Sequence, residues 1–457
     1  MNSSKSFTEL NQYIDNKLGN GDICTVGHFS FIKIFQHALT YSECNNKNKL
    51  IQNHIHRSYF IQLLVYQLKS LRKRIPKIKL NSVVTIEQDR FIQDQHGEHK
   101  SIYFENLCKL LPRNSITRLG RSETPIPLDY YLPSLSGSLP IPDHAEKAMI
   151  KTVHSVYKKA RRSQLFSLTE LKYIQSSLHI FLEEFRFHYH IFKNEPVATI
   201  VFICHYHKEG LIAAAKVLGI RCIELQHGLI AKNDIYYLYN AAYKKNIAHA
   251  FFAESIFVYG PKWKDLLSLG CEFNEKQILI GGDYLFRTDK IATSSADKKN
   301  LILICSQKNM HDDFIPYCDI LARFLEQHRE WDAIIKLHPL EPHRELYKNK
   351  LSPLIKIAET NERLDDLLKL ARIQISIYST TFYDALGFNV LNLSIQNFGS
   401  SRDYAADIVR DGLALPLTIE QDPIQLYSDL EKKQISFPDR ELYYAAMDTK
   451  LLTETIC

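Results

Sequence analysis

No run of apolar residues in this chain approaches the ~20 needed to span a bilayer, so any membrane contact is expected to be peripheral. No G-x-G-x-x-G fingerprint, no phosphate loop, no D-x-D and no Ser-His-Asp arrangement occurs. No C-x-x-C occurs either. The nine cysteines are scattered and odd in number, which speaks against a disulfide frame or a zinc site and fits buried thiols in a reducing cytoplasm. Gly and Pro are sparse, 16 of each in 457 residues, which excludes long disordered tracts. The opening Met1-Asn2-Ser3-Ser4-Lys5 leads into no apolar segment, so no signal peptide is expected. A net charge of only +6 and a pI near 8.6 give no nucleic-acid signature, and no nucleic-acid partner is expected.

What the chain does have is length, enough for two or three domains, and aromatic side chains, 25 Tyr and 24 Phe, which serve the core or line pockets. Its basic residues are clustered. One run is Lys69-Ser70-Leu71-Arg72-Lys73-Arg74 and the other is Lys158-Lys159-Ala160-Arg161-Arg162. Each reads either as a solvated helix face or as a peripheral contact with the cytoplasmic face of an inner membrane.

The pattern along the chain is α/β. Residues 123–142 carry Pro125, Pro127, Pro133, Pro140 and Pro142 and read as a long exposed loop. A capping box, Ser167-Leu168-Thr169-Glu170, predicts a helix running to about Lys193. Strands are then expected at Val197–Cys204, Arg221–Leu225, Ile256–Tyr259 and Gln277–Ile280, with helices between. A polar stretch at 286–299 reads as a linker. Strands follow at Leu301–Cys305, Ala333–Leu337, Leu354–Ile357, Ile373–Ile377 and Val390–Leu393. Alternation of this kind predicts two Rossmann-like domains of parallel sheet, 1–285 and 286–457, facing a central cleft, with the last helix packing back on the first domain.

Ligands bind outside the carboxyl ends of strands in such folds, and three polar motifs fall there. Gln226-His227-Gly228 offers an imidazole that is either a general base or a brace for the turn. Glu224, three residues earlier, points to the opposite strand face, so a direct pair with His227 is not expected. In Lys336-Leu337-His338-Pro339, proline holds His338 extended, and Lys336 shares its strand face. The pair reads as a phosphate contact or as ordinary strand-end polarity. Ser379-Thr380-Thr381 precedes a helix, where hydroxyls cap or bind phosphate. Ser306-Gln307 and Lys208-Glu209-Gly210 end further strands, and Glu87 and Asp89 follow another. His205 and His207 share a face but lack a third ligand at a fitting spacing, so no metal site is expected.

Taken in order, Gln226-His227-Gly228, Val258-Tyr259-Gly260, Ile280-Gly281-Gly282-Asp283, Lys336-Leu337-His338-Pro339 and Ser379-Thr380-Thr381 resemble the motifs of GT-B glycosyltransferases of bacterial surface polysaccharide synthesis. The resemblance covers about residues 197–420. It is to the group that holds CDP-glycerol glycerophosphotransferases of teichoic acid synthesis and the sialyl- and Kdo-transferases of capsule and lipopolysaccharide. It implies a metal-independent glycosyltransferase without a cofactor. The donor would be a nucleotide-activated sugar, foremost a CMP-sugar of the sialic acid or Kdo type, and the acceptor a cell-surface glycan or lipid-linked glycan. It further implies that the first domain binds acceptor and the second donor. His227 would be the catalytic base, with Glu209 as a second candidate because the sialyltransferase branch uses an acid before a Gly. His338, Lys336, Pro339, Ser379, Thr380, Thr381, Ser306 and Gln307 would line the donor site, and Gln226, Gly228 and Gly282 the acceptor side. A CDP-glycerol-type glycerophosphotransferase, a nucleotide-sugar 2-epimerase-like enzyme and a non-catalytic assembly protein remain as alternatives.

Overall fold

Continuous apolar strands joined by amphipathic helices can only be buried on both faces, and the chain folds accordingly into two parallel sheets. The structure is a computed structural model that describes residues 7–45, 79–87, 91–93, 97–121, 128–132, 142–206, 208–232, 234–285, 298–307, 310–338, 341–359, 362–396, 402–431 and 438–457. The basic run at 69–74, Asp89, His207, Pro339, most of the Pro-rich loop and the linker at 286–297 lie outside these residues. Contacts divide the chain into two units. The N-terminal unit comprises Thr8–Ile230, Asp234–Arg287 and Ala445–Cys457, and the C-terminal unit comprises Thr288–Tyr444 with Met1–Phe7 and Ala231–Asn233.

The N-terminal unit holds β1 (Val83–Glu87), β2 (Ile116–Arg121), β3 (Tyr130–Leu132), β4 (Thr199–Ile203), β5 (Arg221–Leu225), β6 (Ser255–Val258) and β7 (Ile278–Ile280). They form one sheet in the order β3-β2-β1-β4-β5-β6-β7, every pairing parallel. The C-terminal unit holds β8 (Leu301–Cys305), β9 (Asp332–Lys336), β10 (Ile355–Ile357), β11 (Ile373–Ser376), β12 (Leu391–Ile395) and β13 (Leu415–Leu417). Their order is β10-β9-β8-β11-β12-β13, again wholly parallel. Both sheets reverse direction once, between β1 and β4 and between β8 and β11. That is the doubly wound Rossmann order, and ligands bind at such a reversal. The two Rossmann-like domains expected from the sequence are therefore present.

Strand β8 shows the packing logic. Ile302 and Ile304 enter one apolar cluster with Phe314, Leu321 and Ile335, while Leu301, Leu303 and Cys305 enter another with Leu367 and Leu368. Alternate side chains thus serve opposite faces, and the strand is buried on both. The capping box at Ser167 is made in both directions, and the helix runs Leu168–Phe192.

Several segments depart from what their residues suggest. Ile23-Cys24-Thr25-Val26, an apolar run that reads as a strand, joins no large sheet. It forms a 3-10 turn, Asp22–Cys24, and a two-residue hairpin, Thr25–Val26 with Phe29–Ser30. Part of the Pro-rich segment is a strand, β3, paired with β2. Arg402 and Asp403, polar residues after the last apolar strand expected from the sequence, begin a helix, Arg402–Arg410.

Gly282 also has a different place. Its φ is +78°, and an added Cβ would sit 2.1 Å from the Ala446 carbonyl oxygen. Asp283 N–H donates to the Ala445 carbonyl beside it at 2.8 Å. Gly282 thus clamps the C-terminal segment to the first sheet. A Gly282→Ala variant combines left-handed backbone strain with overpacking and is expected to lose about 3 kcal/mol in urea unfolding. A loss below about 0.5 kcal/mol, the usual range for a surface change, would show that the segment is not held there.

Candidate active site

At the carboxyl ends of β4 and β5 the N-terminal unit buries an unusual number of ionisable groups. Glu224, on β5, is fully buried. Its Oε1 accepts from the Tyr237 hydroxyl at 2.7 Å and from the His205 backbone N–H at 3.1 Å. Its Oε2 lies 2.5 Å from His205 Nδ1. Burial alone would raise this carboxyl, but the His205 ring and these hydrogen bonds outweigh it and hold it below the usual value. His205 Nε2 faces the Tyr236 carbonyl at 2.8 Å. Burial pulls the imidazole down, while the two acceptors facing its two nitrogens favour the charged ring. Cys204, just before it, has φ of +57°, a strained conformation for a non-glycine residue of the kind that gathers at functional sites.

A second buried group adjoins it. Lys33 Nζ donates to the Phe251 carbonyl at 3.0 Å and lies 3.8 Å from Glu209 Oε1, and His37 Nδ1 is 3.4 Å from the same oxygen. Glu209 is thus a buried ion-pair partner, not a solvent-facing base. Gly210 makes this placement possible: a Cβ there would approach the Phe181 carbonyl to 2.6 Å, so the helix Glu209–Leu218 docks closely on Leu168–Phe192. Lys33 and His37 come from the helix Ile32–Asn45 and carry no motif, so nothing in the chain's local pattern signalled them.

His227 is half-buried, and its Nε2 lies 3.0 Å from the Tyr206 hydroxyl. Burial raises that phenol well above its ordinary value, so it stays a neutral hydroxyl, which accepts from Nε2–H when the ring carries its proton there. The Tyr103 hydroxyl holds the His227 carbonyl at 2.5 Å. His227 and Glu224 do not pair. Gln226 is buried and braces the turn, its Nε2 donating to the Gly228 carbonyl at 2.8 Å and its Oε1 accepting from Tyr259 N–H at 3.0 Å. Glu87 is consumed by a bidentate pair with Arg118, two contacts of 2.7 Å.

The C-terminal unit gathers its own group at the β8/β11 reversal. Ser306 Oγ accepts from His338 N–H at 3.0 Å, and Gln307 Oε1 accepts from Tyr378 N–H at 3.1 Å. These two buried residues tie the ends of β8, β9 and β11 together. Ser379 Oγ accepts from Thr381 N–H at 3.2 Å, and Thr381 Oγ1 accepts from Gln374 Nε2 at 2.5 Å. Two of the three hydroxyls are therefore structural. The Thr380 hydroxyl makes no hydrogen bond among the described residues. The helix after it, Thr381–Asp384, is a single turn, so its summed dipole is small. Lys336 turns away: its ammonium donates to the carbonyls of Glu359, at 3.1 Å, and of Glu362. His338 is half-buried. The group can cradle an anion through His338 and Thr380, with little formal charge.

No family model and no curated protein matches this chain. Among solved structures it is similar to the UDP-GlcNAc 2-epimerase of Neisseria meningitidis bound to UDP-GlcNAc, at 14% identity over 82% of this chain and 98% of that one, with a TM-score of 0.49. It is also similar to the glycotransferase of kitacinnamycin, at 12% identity over 83% and 100%, TM-score 0.45. A third is MurG of Acinetobacter baumannii, at 12% identity over 82% and 99%, TM-score 0.39. Likeness at this level identifies no activity. Among the described residues no helix is long and apolar enough to cross a membrane.

Lys33 gives the buried cluster a pH signature. Burial lowers its ammonium from the ordinary 10.5 to about 8, opposed only in part by Glu209 and Glu224. Between those two pH values the unfolded chain binds the proton more tightly than the folded one, so this group's contribution to stability rises with pH across the window. Urea unfolding of the protein and of Lys33→Met, compared from pH 8 to 10.5, is expected to move in favour of the natural protein as pH rises. A flat or opposite trend excludes Lys33 as a desolvated cation.

Proposed function

We propose that the protein is a glycosyltransferase that moves a sugar from a nucleotide-activated donor to a surface-glycan acceptor, in capsule or lipopolysaccharide synthesis. The observation that carries this reading is the placement of His227 and His338, each half-buried after the carboxyl end of a strand that neighbours one flanking its sheet's reversal, without a phosphate loop in either unit. His227 takes the acceptor hydroxyl's proton as that oxygen attacks the anomeric carbon. The bond from that carbon to the donor phosphate breaks, and the nucleotide leaves with the electron pair. His338 and the Thr380 hydroxyl stabilise the phosphate as charge develops on it. Ser306 and Gln307 position these groups through backbone hydrogen bonds. On the acceptor side, Tyr206 orients His227, and Gln226 with Gly228 shapes its turn.

The donor proposed is a CMP-sugar. It carries one phosphate charge, and the anion cradle supplies one imidazole and one hydroxyl, since the Lys336 ammonium is engaged elsewhere. A diphosphate donor would bring a second charge with no cation set against it among the described residues of this group. Pro339, which lies outside them, keeps its proposed part only through the backbone direction it imposes on His338. The basic helix His144–Ser163, with Lys158, Lys159, Arg161 and Arg162, is the proposed peripheral contact with the cytoplasmic face of the inner membrane.

A thermal-shift screen with CMP, CDP, UDP and GDP tests the donor site, because a bound nucleotide stabilises by mass action. CMP is expected to give the largest shift, and no shift with any nucleotide at millimolar concentration removes the proposal. His338→Ala is expected to weaken CMP about tenfold, the worth of one charge-assisted hydrogen bond. His227→Ala is expected to leave CMP binding intact and lower turnover by about 100-fold or more. Formation of an epimer from a UDP-sugar alone, without acceptor, would point to the epimerase alternative instead.

A further inference from the structure

We propose that His311, Glu341 and His343 form a binding site for a divalent transition ion of the zinc class in the C-terminal unit. One nitrogen from each histidine and one Glu341 carboxylate oxygen lie within 4.8 Å of one another. Two imidazoles and one carboxylate are the donor set of open zinc sites, with a fourth position left for water or an anionic oxygen. The two rings stand 4.2 Å apart between centroids, tilted by 49°.

The second observation concerns His311 itself. Its Nδ1 atom is buried and has no hydrogen-bond partner among the described residues. Its Nε2 lies 3.4 Å from Asp312 Oδ1. A proton held on Nε2 by that carboxylate leaves the Nδ1 lone pair available, the arrangement in which a carboxylate sets the tautomer of a metal-bound histidine. His311 opens the helix His311–Gln327, where the helix dipole disfavours a cation, and Asp312 and Asp313 in the first turn offset that field. Ligand atoms on a tetrahedral ion sit roughly 3.3 Å apart at zinc–nitrogen bond lengths of about 2.0–2.1 Å. The spread of 4.8 Å therefore closes by side-chain rotation alone, since His343 is exposed and Glu341 only half-buried.

The site ties two segments that flank the anion cradle. Glu341 N–H donates to the His338 carbonyl at 2.9 Å, and His343 N–H donates to Glu341 Oε1 at 3.0 Å. An ion there pins the segment that carries His338 to the helix that follows Ser306 and Gln307. The reaction proposed above routes no step through it.

Isothermal titration of zinc into the full-length, chelator-stripped and tag-free protein is expected to give one ion per chain at micromolar affinity or tighter. Cobalt(II) should show the visible absorption of a nitrogen-ligated site of low coordination number. His311→Ala and His343→Ala are each expected to weaken zinc by more than about 100-fold, beyond the loss seen when only an outer partner is removed. His338→Ala should leave zinc binding unchanged, so the metal reading and the nucleotide reading fail separately. Unchanged urea midpoints in chelator show that the variants fold. Absence of binding below millimolar zinc overturns the proposal, and so does binding that survives in the His311→Ala/His343→Ala double variant, which assigns it to other histidines.

Discussion

The carboxylate of Glu224 is the point on which the first sheet's functional edge depends. It stands on a strand buried on both faces, where an unpaired charge would cost several kcal/mol. Three donors from two other segments converge on it: the His205 ring and backbone N–H, and the Tyr237 hydroxyl. The end of β4, the middle of β5 and the 234–237 segment are thereby fixed to one another. Removing the carboxylate would leave a buried imidazole facing nothing of opposite charge, so the cluster stands or falls as a unit. The half-buried residues Tyr206 and His227 hang from this frame. Tyr206 follows His205 directly, and its hydroxyl reaches His227 across from the next strand end.

The second sheet solves the same problem with neutral groups. Ser306 and Gln307 accept backbone N–H groups from the neighbouring strand ends, and Ser376 and Ser394 donate to the carbonyls of Cys305 and Ile377. Hydroxyls and an amide can be buried at modest cost once hydrogen-bonded, whereas ions cannot. The contrast between the two edges is chemical: an ion-paired frame beneath His227, and a neutral frame beneath His338 and Thr380.

Much of this was legible in the chain. Strands buried on both faces read as apolar runs, and β5 and β8 fall on their expected limits, Arg221–Leu225 and Leu301–Cys305. The capping box at Ser167 and the turn at Gly219, with φ of +72°, follow from local chemistry alone. Glu224 turns to His205 and Tyr237, and His227 to Tyr206. The partners of Glu209 were not legible, because Lys33 and His37 lie more than a hundred residues away in a segment of ordinary helical composition. Short strands also escaped: β3 sits inside a Pro-rich stretch, and β13 contains Pro416, which an edge strand tolerates because its outer face needs no donor. The direction of the Lys336 side chain escaped too, since parity gives a face and not a destination.

Lys336 shows why strand-end motifs need a structure before they become chemistry. Parity places it on the side of His338, and a long flexible ammonium near a phosphate reads as a contact. Yet the carbonyls of Glu359 and Glu362 after β10 offer an ammonium fixed acceptors, and the side chain takes them. Burial lowers this ammonium, and the Glu362 charge opposes that shift. The positive charge is thus spent on holding the neighbouring segment, and the proposed anion cradle keeps an imidazole and a hydroxyl. A cradle of that kind selects for low charge on its ligand: each further phosphate must be desolvated against neutral dipoles instead of a cation. The side chain's direction, not the motif, is what sets the charge this strand end can accept.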